Sequence, residues 1–276
     1  MRNHLRVALL AVKLLLAPAF VVGASLAGRR FGIHVGGLIG GLPVVAGPIL
    51  LVYALAHGRS FTAGAAAGTL LGLVSLIAFV VVYGRLAGRW SWSASMLAGW
   101  LAFALATVAF SAVSPPLGVA LGLATLSLML GLAALPRPGA QAREHAAPPS
   151  WDLPLRAACA AALVLALTAL AGWLGPQLSG LLAPFPVITT VLATFTHAQR
   201  GTDELLRLLR GLVSGFGAFA LFCFSLALAL RHLDTAEAFV LASALALLVQ
   251  GFVLRVVHRR ATALSPVARA PLAQET

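Results

Sequence analysis

Acid is what this sequence has least of. Seven of its 276 residues are Asp or Glu, and none precedes Glu144. All seven (Glu144, Asp152, Asp203, Glu204, Asp234, Glu237 and Glu275) fall in expected loops, span ends or the tail. That distribution argues against a proton relay built on a carboxylate deep in a membrane. Charge of either sign is sparse, at 9% of residues with 61% hydrophobic, against roughly 25% and 45–50% in a soluble domain. An ordinary soluble globule and a disordered chain are excluded. The two cysteines, Cys159 and Cys223, are too few for a disulfide scaffold and have no His or Cys partner at metal-ligand spacing. There is no P-loop, no G-x-S-x-G and no carboxylate pair. We therefore expect no enzyme, no cofactor and no metal.

What is present is apolar helix, with a mean hydropathy of +0.99. A spanning helix needs about 20 mostly apolar residues. Runs at 5–28, 33–57, 62–84, 91–113, 117–136, 154–174, 177–198, 208–230 and 235–257 predict nine spans in an all-α integral membrane protein. Ser114-Pro115-Pro116 and Gly175-Pro176 mark two of the breaks. The polar stretch PRPGAQAREHAAPPSWD (136–152) reads as a linker. It divides the chain into a first membrane half (1–136), a cytoplasmic linker (137–153), a second half (154–260) and a disordered tail (261–276). The first run has a second reading as a cleaved secretory signal, since a basic start precedes an apolar stretch and Ala-Ser-Leu-Ala-Gly.

The net charge of +12 would suggest nucleic acid in a soluble protein. Here it reports orientation, and no nucleic-acid partner is expected. With nine spans, Arg2, Arg6, Arg59 and Arg231 share one side and fourteen arginines share the other, with Lys13 set aside inside a span. The richer side is expected to be cytoplasmic. This places a multi-pass protein in the bacterial inner membrane with its C-terminus in the cytoplasm.

Sliding the chain by 143 residues superposes its halves. Gly32 meets Gly175, Gly37 meets Gly180, Gly58 meets Gly201, Gly68 meets Gly211 and Gly72 meets Gly215. Pro43 meets Pro186, Phe79 meets Phe222, and Lys13 falls on Arg156. Five Gly pairs in about 70 positions exceed the less than one expected by chance, and internal repeats organise a fold. The unit is four spans, repeated after one extra span (117–136). An odd intervening span inverts the second copy, and inverted repeats are the usual build of secondary transporters.

The matched segments GGLIGGLPVVAGP (36–48) and SGLLAPFPVITT (179–190) are the sharpest local feature. Pro inside a span frees backbone carbonyls, and paired broken helices point to a transporter site. Gly40, Gly41, Pro43, Pro184, Pro186, Thr189 and Thr190 are the candidate binding residues. The competing reading is structural: Gly for close packing, Pro for a kink and Thr bonding back to helix carbonyls. Lys13 either attracts an anion or snorkels to the interface. His34 and His197, near span ends, either handle protons or sit at the interface. The Gly68-x3-Gly72 and Gly211-x3-Gly215 pairs read as packing faces. Trp90, Trp92, Trp151 and Tyr83 read as an aromatic belt.

On Lys13, on Gly180-Leu181 with Phe185-Pro186, and on Gly201 ahead of a Leu/Arg-rich helix start, the four-span unit resembles the GlpM family of small bacterial inner-membrane proteins. RRFGIHVGGLIGGLP (29–43) is similar to related four-span membrane proteins. This resemblance implies a link to exopolysaccharide (alginate) production. The chain departs from the family in being duplicated and inverted. The architecture also resembles the drug/metabolite transporter superfamily. Small multidrug members of that superfamily carry a Glu in their first span, where this chain has Lys13 or Arg156, which disfavours proton-coupled export of organic cations.

The expected function is transport or flipping of a small anionic or amphiphilic solute, bound between the Pro43 and Pro186 segments, by alternating access. The alternative is a non-transporting membrane protein that assists exopolysaccharide or envelope biogenesis. The expected partners are the lipid bilayer, a small or lipid-like solute, and either a second copy in a homodimer or an envelope-biosynthesis protein.

Overall fold

The computed structural model describes residues 2–44, 46–113, 115–139, 149–182 and 185–263, without the side chains of 2–13, 168, 170–182 and 257–263. The expected tail beyond 263, the middle of the linker, the Lys13 side chain and Pro184 lie outside the described residues. Among the described residues all regular structure is helical: α1 (Arg2–Phe31), α2 (Ile33–Gly40), α3 (Ala46–Leu86), α4 (Trp92–Ser111), α5 (Leu117–Ala134), α6 (Asp152–Leu182), α7 (Val187–Ala229) and α8 (Thr235–Ala263). This is the outcome expected of long uncharged Leu/Ala/Val runs punctuated by Gly and Pro.

Six helices among the described residues are long and apolar enough to cross a membrane, and the chain is an α-helical, multi-pass membrane protein. The count corrects the expected nine. Runs 62–84 and 208–230 are not separate helices after a loop. Each is the second arm of a kinked helix, α3 or α7, joined to the first arm through a single glycine. The run 33–57 is divided instead, between α2 and the first arm of α3. The break expected at Gly175-Pro176 is absent, because α6 carries helical backbone through it to Leu182.

The two kinks have one geometry. Gly58 has φ 84° and ψ 175°, and Gly201 has φ 77° and ψ −174°. This is a region essentially reserved for glycine. Contacts show that the chain reverses at both. Gly37 packs on Leu208, Gly41 on Leu212 and Gly215, and Gly47 on Phe222, so α2 and the first arm of α3 (46–57) climb alongside the second arm of α7. Arg59 reaches Leu233, and Gly84 packs on Leu206 and Leu209, so the second arm of α3 (59–86) descends again. Tyr53 and Phe61 flank the turn with ring centroids 5.7 Å apart. At Gly201 the first arm of α7 (187–200) and the second (202–229) fold together, so that Leu192 and Leu212 both meet Gly40.

The second arm of α7 is the central element, buried along most of its length. Phe79 packs on Gly99, and Ile77 on Gly131, so α4 and α5 flank α3. On the outside α4, α5 and α8 present Leu101, Met129, Leu248 and Phe252, each more than 60% exposed, as a lipid-facing surface requires. The helix ends gather at two poles. One holds Arg29, Arg85, Arg156, Arg207 and Arg210, where Arg85, Arg207 and Arg210 bond to the carbonyls of Ala134, Gly139 and Leu135. The other holds Arg59 and Arg231 beside Pro115 and Pro116.

Candidate functional site

The arginine-rich pole brings the two halves of the chain together around one carboxylate. Asp152 stands in the first turn of α6 and Arg29 in the last turn of α1. Each sits where the helix macrodipole favours its charge. Arg29 donates to Asp152 Oδ2 at 2.6 Å, and Arg156, one turn further along α6, donates through Nε to both carboxylate oxygens at 2.9 and 3.0 Å. Gln199, at the end of the first arm of α7, donates to Oδ1 at 2.7 Å. The Arg156 guanidinium lies 5.0 Å from the Phe195 ring centroid, a cation–π contact. Asp152 and Arg156 are 1% and 5% exposed. A buried ion pair is tolerated only when its remaining hydrogen-bonding groups are satisfied, and here the carboxylate accepts from three residues. Burial pushes the Asp152 carboxyl up, but the bonds from Gln199, Arg156 and Arg29 outweigh it and hold the group below its usual value.

Beside this cluster is a cavity of about 20 Å³, lined by Ser25, Arg29, Arg156, Thr196 and Arg200 with apolar neighbours. Such a volume holds about one water. Ser25 Oγ and Thr196 Oγ1 are buried with no hydrogen-bond partner, and Thr196 is 1% exposed. A wider groove of about 770 Å³ opens at the opposite pole beside Arg59, Gly64, Pro116 and Arg231.

The residues singled out in the sequence are placed elsewhere. Gly40 and Gly41 are buried in packing. A Cβ on Gly40 would stand 2.9 Å from Leu192 and 3.0 Å from Leu212, and one on Gly41 would stand 2.7 Å from the Leu212 carbonyl. The α2 end therefore adjoins the first arm of α7 through close contact of Gly40 with Leu192, whereas Gly41 meets the second arm. Pro43 is half-buried, and Pro186 is buried ahead of α7. Thr189 and Thr190 are buried, and Thr190 Oγ1 accepts from the Trp100 indole at 3.0 Å. His34 Nδ1 is buried without a partner, and His197 Nδ1 lies 3.4 Å from the Tyr83 hydroxyl. Tyr83 is fully buried and is no interfacial belt residue. Trp90, Trp92 and Trp151 are about half-exposed.

Arg29, Asp152 and Gln199 were not candidates from sequence. The available signal was the Asp152–Arg156 spacing of one helical turn, set at the edge of an apolar run. Reading Asp152 as linker hid it. Among the described residues no group of three His, Cys, Asp or Glu side chains converges on a metal position. Comparison of the chain with protein-family models, with curated proteins and with solved structures finds no match.

Proposed function

We propose that the chain is a transporter or flippase of the bacterial inner membrane, moving a small anionic or amphiphilic solute by alternating access between two inverted repeats. The first repeat is α1 to α4 and the second α6 to α8, with α5 as the linking helix. The observation that carries this reading is the pair of interrupted crossings. The chain breaks after Gly40 and again after Leu182, and each break is followed by a short arm, a glycine reversal and a long arm. Gly58 and Gly201 are 143 residues apart, as are the starts of α4 and α8. The long arms of α3 and α7 run in opposite directions, as inversion requires. The arginine-rich pole faces the cytoplasm in this reading, with the C-terminus on the same side.

The reading is tested by reconstituting the full chain in liposomes. Two probes are followed: fluorescent phosphatidylglycerol, whose inner-leaflet pool is protected from dithionite, and radiolabelled inorganic phosphate. Translocation of either above protein-free vesicles is the expected result, and it is expected to be lost in Pro186→Ala at unchanged protein abundance. Folded protein that moves neither probe overturns the reading, and the alternative role in envelope assembly, tested by partner co-purification, takes its place.

A further inference from the structure

We propose that the wide groove at the pole of Arg59 and Arg231 is a site for one anionic phospholipid, whose phosphate meets the two arginines and whose acyl chain lies along α3. The proposal rests on the transport reading, for which it names the solute and the place where it enters.

The groove measures about 770 Å³, within the roughly 300–1,000 Å³ usual for ligand clefts. It is formed by the second arm of α3, the start of α5 and the end of α7. Its charged and apolar parts are separated along its length. Arg59 follows the reversal at Gly58, and Arg231 follows the last residues of α7, so both stand at helix ends. Gly64 and Ala67 continue the groove along α3, and Ala67, eight residues beyond Arg59, lies about 12 Å deeper at 1.5 Å per residue. Pro116 and Ala227 line it from the neighbouring helices. Gly64 is exposed, with nothing within 4 Å of a would-be Cβ, so the trough is open. A charged end at the level of the loops and an apolar trough running into the span match an amphiphile. A free anion uses only the first part, and a neutral hydrocarbon only the second.

Among the described residues that line the groove, the charged ones are Arg59 and Arg231. A phosphodiester has two unesterified oxygens, which suit two guanidiniums presented by two helices. Two acids of this pole stand beside the groove: Asp234 meets Arg59 at 3.3 Å with its side chain 85% exposed, and Glu237 is in the first turn of α8. So exposed an ion pair contributes little, and a phosphate displaces Asp234 from Arg59.

The full chain is purified in detergent and its unfolding midpoint titrated with phosphatidylglycerol, with phosphatidylcholine, and with glycerol 3-phosphate, which is a phosphate head without chains. Phosphatidylglycerol is expected to act at concentrations at least tenfold below phosphatidylcholine, and glycerol 3-phosphate to leave the midpoint unchanged. Arg231→Gln, at an exposed position, is expected to weaken phosphatidylglycerol about fivefold, the scale of one basic residue at an anionic surface, and to leave phosphatidylcholine unaltered. Gly64→Leu fills the trough and is expected to weaken both lipids at least tenfold, the scale of two methylenes no longer buried, without lowering the midpoint of the lipid-free protein. Equal response to the two lipids, an equal response to glycerol 3-phosphate, or unaltered phosphatidylglycerol binding in either variant overturns the site. A dimer that Gly64→Leu dissociates, with no lipid preference, assigns the groove to packing against a second copy and overturns it too. The expected binding without translocation in the liposome assay overturns the transport reading and leaves the site; translocation undiminished in both variants overturns the site as an entrance and leaves the transport reading.

Discussion

Glycine and one aspartate carry the most at the scale of single residues. A Cβ on Gly37 would overlap the Leu208 carbonyl, and one on Gly211 would overlap the carbonyl of His34. Backbone faces backbone at both, so neither neighbour can turn aside. Gly→Ala gains about 1 kcal/mol of helix propensity, and forced overpacking costs about 1–3 kcal/mol or more. Gly37→Ala and Gly211→Ala are therefore expected to lower stability by about 2 kcal/mol, read as a fall in the thermal unfolding midpoint in detergent. Gly68→Ala, with nothing within 4 Å of its new methyl, is the control and is expected to be neutral or stabilising by up to about 1 kcal/mol. Sequence alone grouped Gly68 with Gly211 as packing faces, because identical spacing cannot reveal which face meets another backbone. Asp152 has a sharper signature. Asp152→Asn leaves the buried Arg156 guanidinium, and the part-buried Arg29 beside it, without their carboxylate, at an expected cost of about 3–5 kcal/mol. The folded-state value of this group lies below its ordinary 3.8. Its contribution is thus fully present above that pH and is lost only as pH falls through the lower folded value. The deficit of Asp152→Asn against the wild type should stay constant from about pH 8 to pH 5 and shrink only below about pH 4. A deficit that shrinks near neutrality would contradict this assignment.

Helices divide into those the sequence placed and those it did not. The runs 91–113, 117–136 and 235–257 correspond to α4, α5 and α8 because a loop or a proline pair bounds each and no internal partner is needed to stop it. The reversals at Gly58 and Gly201 were legible as matched glycines, but their form was not. Loops were expected there, and a single residue of positive φ does the work. That distinction rests on backbone angles, which composition does not encode. The Asp152 cluster was illegible for another reason: its partners come from positions 29, 152, 156 and 199, which only the packing of α1 and α7 on α6 unites. Gly58 and Gly201 yield a paired prediction. Neither has an atom within 4 Å of a would-be Cβ, so substitution tests conformation alone. Gly58→Ala and Gly201→Ala are each expected to cost about 1–3 kcal/mol and to agree within about 1 kcal/mol, measured by chemical or thermal unfolding. A neutral change at one and a large loss at the other would break their equivalence.

Two ion pairs among the described residues join the halves of the whole molecule, one at each pole. Arg29–Asp152 closes the arginine-rich pole at 2.6 Å, with side chains 28% and 1% exposed. Arg59–Asp234 closes the opposite pole at 3.3 Å, with side chains 51% and 85% exposed, and Arg59 also donates to the Leu233 carbonyl at 3.0 Å. An exposed pair of the second kind contributes about 0–1 kcal/mol, so Arg59→Gln is expected to leave the unfolding midpoint unchanged within error, unlike Arg29→Gln. A contact too weak to stabilise the fold is still well placed to hold two bodies together until a ligand competes, since a small free-energy difference suffices to shift a balanced equilibrium. The wide groove beside Arg59 and Arg231 lies at this weakly closed pole, while the cavity beside Arg29 and Arg156 at the other holds about one water. If the halves move about each other, the Arg59–Asp234 contact must part in each cycle. With Cys159 and Cys223 replaced by serine, Arg59→Cys and Asp234→Cys joined by a short bis-methanethiosulfonate linker should reduce phosphatidylglycerol translocation by more than half, with recovery on reduction. Translocation that proceeds unchanged with the linker in place would mean that this pole does not open, and alternating access between these halves would have to be abandoned.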